Sequence, residues 1–478
     1  MSKIFIGREK EIEVLNDAFN SNEGELVAVI GRRRVGKTFL IKTIYEEHIC
    51  FEMTGLQYGD YEEQLEEFVF QLNLAANPDT PYERPESWLK AFHMLILWLN
   101  KTKTDQRRVL FFDELPWLGT PRSRFLIGFG MFWNTWAAWN NVVVVICGSA
   151  ASWMIEKVIN DRGGLHNRIT KRIFLKPFTL PETETYLKSK HLNLERYHIV
   201  QIYMSMGGIP HYLKEIKTGW TATQAIDNIC FSETGLLKNE FSKLYQALFE
   251  HPEAHEAVVR ALASSHQGIT RSEVAKRSGL SPNGQLTKTL TELEQSSFIK
   301  SYHPFGKRKK EKLFRLTDEY SLFYLRFIEN QIHEEEEVWQ RLSQTQTYKI
   351  WTGYAYENIW LKHIPQIKKA LGISGMYSQS SSFYLKPTDE EKGLQIDLLL
   401  DRNDHAINLF KIKFYNDEYV MNEADAKSLR ERRGIFQRST KTKKQIFWSL
   451  ITTFGLKLNK HGLGAFQRVL TLDDLFLP

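Results

Sequence analysis

At 478 residues the chain exceeds what one hydrophobic core supports, and its length corresponds to about three domains. Apolar residues make up 42% and charged residues 25%, the balance of a folded globular protein, which excludes extended disorder. Three widely spaced cysteines exclude a disulfide frame and a cysteine zinc site, and a net charge of +6 is too mild to carry nucleic-acid binding without local clusters.

The opening MSKIFIGREKE lacks the apolar centre of an export signal, so a cytoplasmic protein without a membrane partner is expected. The stretch RFLIGFGMFWNTWAAW is apolar, but Arg124, Asn134 and its glycines predict an internal helix rather than a span. The first strong element is the run ELVAVI, followed at once by Gly31, Arg32, Arg33, Arg34, Val35, Gly36, Lys37 and Thr38 and then by the helical FLIKTIYEEH, which begins at Phe39. Strand, glycine turn and helix start in that order make a phosphate-binding loop. Backbone N–H groups wrap a β-phosphate, the Lys37 ammonium meets the β/γ oxygens, and the Thr38 hydroxyl is offered to Mg²⁺. ATP and Mg²⁺ are therefore the expected cofactors.

A hydrolysing loop needs a second strand that ends in an acid for the metal and a carboxylate for water, and RRVLFFDELPW supplies Asp113 and Glu114. Thr38 and Asp113 are the expected metal-associated pair, and Glu114 the general base. A third run, NVVVVICGSA, ends in Ser149, placed to sense the γ-phosphate or the attacking water. Continuous β-branched runs of this kind predict strands buried on both faces of a parallel sheet. In the basic run RGGLHNRITKRIF, Arg168, with Arg172 as second choice, is a candidate arginine finger or sensor, acting within the chain or across a subunit interface; a solvated loop is the competing reading.

The segment Phe5 to Glu11, including Ile6, together with the sensor strand resembles the AAA+ and STAND superfamily of ATPases, where such a segment packs near the adenine. MGGIPHYL resembles the GxP signature of the helical lid in STAND proteins, which implies a nucleotide-facing role for Pro210, and the superfamily implies homo-oligomers formed through the ATPase domain.

Residues 246–330 read as three helices followed by a β-hairpin, the pattern of a winged helix-turn-helix. Thr270 and Glu273 have capping-box spacing, the second helix stops at Gly279, Ser281 is placed to cap the third with Pro282 at its first position, and Leu286, Leu290 and Leu293 form one buried stripe. Asn283, Gln285 and Lys288 face a major groove in this reading, and Lys307, Arg308, Lys309, Lys310 and Lys312 on the wing contact DNA phosphates. A rigid spacer with a solvated basic wing is the alternative.

After the acidic connector NQIHEEEEVWQ comes a helix with Glu357 near its start, the strand LQIDLLLDR with Asp397, the turn NDHA and the strand INLFKIKF with Lys413. This order resembles the PD-(D/E)XK nuclease fold of DUF234-type carboxyl-terminal domains in prokaryotic ATPases. The resemblance implies Glu357 and Asp397 as metal carboxylates and Lys413 as the motif lysine, while Lys411 stands where the triplet's acid belongs. Two lysines two residues apart share a strand face, so both ammonium groups are expected at the pocket, with Lys411 neutralising Asp397 or Glu357 and weakening metal binding. A basic run from Lys427 through Lys444 offers a further phosphate-binding face, with a solvated helix as the alternative.

The expected architecture is α/β multidomain: a P-loop parallel-sheet ATPase core at 1–175, a helical lid at 176–245, a winged helix-turn-helix at 246–330, a connector at 331–350 and a restriction-endonuclease-like domain at 351–478. The expected function is an ATPase whose nucleotide state controls DNA binding through a winged helix and a degenerate nuclease-like domain. The alternatives are an ATP-gated nuclease and a nucleotide-switched scaffold.

Overall fold

A computed structural model describes residues 5–102, 104–120, 122–160, 163–307, 311–331, 337–387 and 392–477. The chain divides into two compact units, one of residues 1–177 with 247–250, the other of 178–246 with 251–478.

In the first unit, α1 (Glu9–Asn20) leads into β1 (Glu25–Ile30), α2 (Lys37–Ile44), β2 (Ile49–Thr54), α3 (Tyr61–Ala76), α4 (Trp88–Lys101) and β3 (Arg108–Asp113). Then come the short α5 (Leu115–Leu118), α6 (Phe125–Thr135), β4 (Val142–Gly148), the short α7 (Ala151–Met154) and β5 (Lys171–Phe174). The sheet order is β2-β3-β4-β1-β5, and every pairing is parallel. Parallel neighbours need crossover connections, and the helices that make them cover both faces. That is why β1 and β4 are buried at every residue. One face is filled by aromatic side chains: Phe92 lies 5.3–6.1 Å, centroid to centroid, from Phe68, Trp88, Phe112, Phe125, Phe129 and Phe132. The apolar stretch that includes α6 is thus an internal helix against this cluster, and no helix among the described residues is long and apolar enough to cross a membrane.

The second unit begins with helices α8 (Leu180–Ser189), α9 (Arg196–Met206), α10 (Pro210–Leu213), α11 (Ala222–Cys230) and α12 (Glu240–Gln246). Next come α13 (Pro252–Ala263), β6 (Ile269–Thr270), α14 (Arg271–Ser278), α15 (Gly284–Gln295), β7 (Ile299–Tyr302) and β8 (Leu313–Leu316), with antiparallel sheet order β6-β8-β7. Thr270 and Glu273 form the expected capping box, α14 ends at Gly279, and Leu286, Leu290 and Leu293 are buried. The start of α15 differs from expectation. Asn283, not Ser281, is the cap, because its side-chain oxygen accepts from the N–H groups of Gln285 and Leu286; Pro282 therefore lies outside the helix. With its oxygen spent in this way, Asn283 is a poor reader of base edges.

The remaining elements are α16 (Glu319–Phe323), α17 (Val338–Leu342), α18 (Gln346–Lys362), α19 (Ile364–Ala370), β9 (Ser378–Leu385), β10 (Leu394–Arg402), β11 (Ala406–Ile412), β12 (Tyr419–Val420), α20 (Glu423–Thr440), β13 (Gln445–Ile451), β14 (Leu456–Lys457) and β15 (Arg468–Leu470). Their five-stranded sheet runs β15-β13-β11-β10-β9, antiparallel from β9 to β11 and parallel beyond. The single helix expected around Glu357 is in fact two. Thr345 caps the first upstream of the expected start, so Glu357 falls in its later half, and Pro365 opens the second because it cannot supply the N–H that a continuous helix needs.

Truncating Phe92 removes the ring that touches most of the aromatic cluster. Phe92→Ala is expected to destabilise the first unit by about 3–5 kcal/mol, read as a lowered thermal transition; an unchanged transition would show that the cluster is not its core.

Candidate functional site

The phosphate loop is built where β1 ends. A Cβ on Gly31 would lie 2.3 Å from the Leu175 carbonyl oxygen, so only glycine lets the loop pass β5's end. Gly36, at φ +95°, is in the left-handed region, which a residue with a side chain adopts only under strain. Lys37 is buried, with Nζ donating to the carbonyls of Gly31 at 3.0 Å and Arg32 at 3.3 Å. Those bonds hold the ammonium inside the loop. Arg32 is buried, Arg33 and Arg34 half-buried, Val35 buried, and Phe39 stacks on Phe5 with centroids 5.7 Å apart. Phe5 and Ile6 are thereby placed beside the first turn of α2.

Asp113 is the hub of this site. Its Oδ2 accepts from the Thr38 hydroxyl at 2.6 Å, and its Oδ1 accepts from the Glu114 N–H at 2.9 Å and from the Cys147 thiol. Burial first, and the Asp113 charge second, push the Cys147 thiol well up, so it stays a protonated donor. Cys147 was not legible as a site residue; its only signal is its position two residues before Ser149 on the strand beside β3. Glu114 holds a left-handed φ of 47°, rare for a residue with a side chain, and its Oε2 accepts from both the N–H (3.0 Å) and the hydroxyl (2.8 Å) of Ser149. The four side chains expected to act together, Thr38, Asp113, Glu114 and Ser149, do meet. The chemistry of this set fits a magnesium nucleotide: a hydroxyl and a carboxylate for the cation, a lysine for phosphate charge, and a second carboxylate on Glu114.

A family model described as an ATPase domain predominantly from Archaea matches residues 5–216. This segment is a P-loop ATPase domain. An uncharacterized protein of Methanocaldococcus jannaschii is 25% identical over 423 residues, covering 86% of this chain and 88% of that protein. An uncharacterized ATP-binding protein of the same archaeon is 46% identical over 43 residues, 9% of this chain and 73% of that protein. Among solved structures, the Walker-type ATPase PABY2304 of Pyrococcus abyssi is 18% identical with a TM-score of 0.51, covering 67% of this chain and 96% of that one.

Within this segment, Arg172 on β5 is paired with Ala28, two residues before the end of β1. The Thr170 N–H bonds Leu26 O near the start of β1, four strand residues below Ile30, or roughly 13 Å at about 3.3 Å per residue. Arg168 is exposed, in the turn that precedes Thr170. Pro210 opens α10 after a turn tied to Phe178, whose N–H donates to Gly208 O at 2.7 Å while its carbonyl accepts from the Tyr203 hydroxyl at 2.8 Å.

The second unit holds a separate cluster. Glu357, Asp397 and Lys413 line one cavity of about 790 Å³. Burial, reinforced by Asp397 and opposed by Arg315, pushes Glu357 up to about 8. Arg315 Nη1 lies 3.6 Å from Glu357, and burial lowers the pKa of the partly buried Arg432, which donates to Gln395 O, while the Asp397 charge opposes that shift. Burial first, then the Lys411 charge, lowers the Lys413 pKa. Lys411 itself corrects the sequence expectation. It turns to Asp425, 3.0 Å away in the first turn of α20, and to the Tyr419 hydroxyl at 3.1 Å, rather than to Asp397 or Glu357, because Asp425 is the nearer carboxylate on its side of the strand. Among the described residues no group of three His, Cys, Asp or Glu could hold a metal. Of the expected DNA contacts, Lys307 is exposed and 3.7 Å from Glu311, whereas Arg308, Lys309 and Lys310 lie outside the described residues.

Because Glu357 keeps its proton in the folded chain up to about pH 8 against an ordinary value of 4.5, the folded state binds more protons than the unfolded one between those values. Stability contributed there is lost as pH rises through that window. Glu357→Gln is expected to flatten the decline in melting temperature between pH 5.5 and 8.5 by roughly several degrees; an unaltered slope would assign the titration elsewhere.

Proposed function

We propose that this chain hydrolyses ATP and uses its nucleotide state to control DNA binding through a winged helix and a degenerate nuclease-like domain. The observation that carries the ATPase part is the network in which Asp113 holds Thr38 while Ser149 holds Glu114. In this reading Lys37 and the loop N–H groups take the phosphates, and Phe5, Ile6 and Phe39 flank the base. Thr38 and Asp113 hold Mg²⁺, which supplies charge neutralisation on the phosphates when bound. Glu114 accepts the proton of the attacking water, and Ser149 sets the orientation of that carboxylate. Arg168, exposed in the turn before β5, serves as an arginine finger within the chain or for a neighbouring copy, and Pro210 sets the lid's approach to the nucleotide.

The DNA part is supported by the three helices and the β6-β8-β7 sheet of residues 252–316, the exposed Lys307 and the lysine-rich run around it. The antiparallel β9–β11, the crossover α20 and the parallel β13, with Glu357, Asp397 and Lys413 on one cavity, support a nuclease-like domain. Cationic Arg315 and Arg432 beside the two carboxylates favour a site that binds without cutting. A cytoplasmic location follows from a function on DNA.

Glu114→Gln is expected to leave ATP binding intact while lowering turnover by about 10²–10⁴-fold, whereas Lys37→Ala abolishes binding. Normal turnover by the glutamine variant would move the base to another residue. Replacing Lys307, Arg308, Lys309 and Lys310 together by Ser is expected to weaken duplex DNA binding and to reduce the slope of log affinity against log salt by roughly 0.9 per lost phosphate contact. A slope identical to wild type would place the DNA on a different face.

A further inference from the structure

A second cavity, of about 440 Å³, shares Glu357 and Arg315 with the cluster described above but is otherwise lined by different elements of the second unit. It is walled by the end of α13 and the loop after it, by β8, by the segment after α16, and by α18. It meets the Asp397 cavity only at a shared partition of Ile350, Tyr354 and Glu357.

Two residues of its lining have polar groups that the protein leaves unsatisfied. Asn358 is 5% exposed; its Nδ2 donates to Thr317 O at 3.0 Å, which fixes the orientation of the amide, and its Oδ1 is buried without a hydrogen-bond partner. Arg315, on the facing strand, has a buried Nε without a partner, and its approach of 3.6 Å to Glu357 is beyond hydrogen-bond length. A buried donor or acceptor left unpaired costs about 1–3 kcal/mol, so two in one wall call for an explanation. Glu357 does not supply the missing anion, since at neutral pH it is held mostly protonated. Arg326, exposed at the rim, has no carboxylate partner among the described residues. The lining also holds the apolar Leu322, Leu325 and Trp351, the His266 and Tyr354 rings stacked 3.5 Å apart, and the ion pair of Arg260 with Glu329. Cationic and amide groups together with apolar and aromatic surface describe a small-molecule pocket, and the volume is within the usual range for one.

We propose that this cavity binds a small organic anion of mononucleotide size, its anionic head at Arg315 and Arg326, its hydrogen-bonding edge at Asn358 and its planar body along Trp351. The site is independent of the phosphate loop, and it joins β8 to α18, so an occupant would brace the three-stranded sheet against the carboxyl-terminal domain.

The test uses the full chain carrying Lys37→Ala, so that the phosphate loop does not compete, and follows binding by calorimetry and thermal shift with adenosine 5′-monophosphate, guanosine 5′-monophosphate and inorganic phosphate as probes. At least one nucleotide is expected to saturate a single site at least about tenfold more tightly than phosphate, and Arg315→Met and Asn358→Leu are each expected to weaken it about tenfold or more. Arg326→Met, an exposed change that leaves folding undisturbed, is expected to weaken it as well, and decides the matter should the buried variants misfold. Failure of both nucleotides to bind saturably, or an affinity that Arg326→Met and the folded buried variants leave unchanged, would overturn the proposal.

Discussion

The parallel pairing of β1 with β4 and β5 on either side is the constraint from which the ATPase site follows. With both edges of β1 hydrogen-bonded and both faces buried, its carboxyl end is immobilised, and the loop that leaves it is pinned by Lys37 to its own carbonyls. The pairing of β4 with β3 on its other edge brings the ends of those two strands together, so that Cys147 meets Asp113 and Ser149 meets Glu114. A shift of one residue in either pairing would turn alternate side chains to the opposite face and separate these partners. The left-handed backbone at Glu114 is a local cost that the surrounding hydrogen bonds maintain, and it directs the carboxylate toward Ser149.

In the second unit the governing effect is desolvation. Two carboxylates, Glu357 and Asp397, line one cavity, no third His, Cys, Asp or Glu among the described residues joins them as a metal group, and burial holds Glu357 toward its neutral form. Metal sites of this kind depend on several ionised oxygens converging. Here cationic side chains are set against those carboxylates instead, Arg315 toward Glu357 and Arg432 toward Asp397. These cations come from β8 and α20, while Lys411 is engaged by Asp425 and Tyr419.

The phosphate loop was legible because its chemistry is local: glycine positions, the lysine and the threonine lie within eight residues, and the flanking strand and helix follow from continuous and 3.6-residue apolar periodicity. Asp113, Glu114 and Ser149 were readable at one remove, since buried parallel strands end at the same edge of the sheet. The start of α15 was misjudged because Ser281, Pro282 and Asn283 are all good residues for a helix start, and only the bonds made by the Asn283 side chain decide among them. The break at Pro365 had a visible signal, but the apolar pattern continues across it.

By itself the sequence determined the strand, glycine loop and helix around Gly31–Thr38 and the strand ends that carry Asp113, Glu114 and Ser149, because each depends on residues close in the chain or on strand ends that share one edge. Only the tertiary structure decided which partner each long side chain takes. Lys411 reaches Asp425 from fourteen residues away, Cys147 reaches Asp113 across neighbouring strands, and Arg315 meets Glu357 from another element altogether. Flexible cations and buried thiols choose the nearest acceptor in space, and distance in space between such groups is set by packing rather than by spacing along the chain.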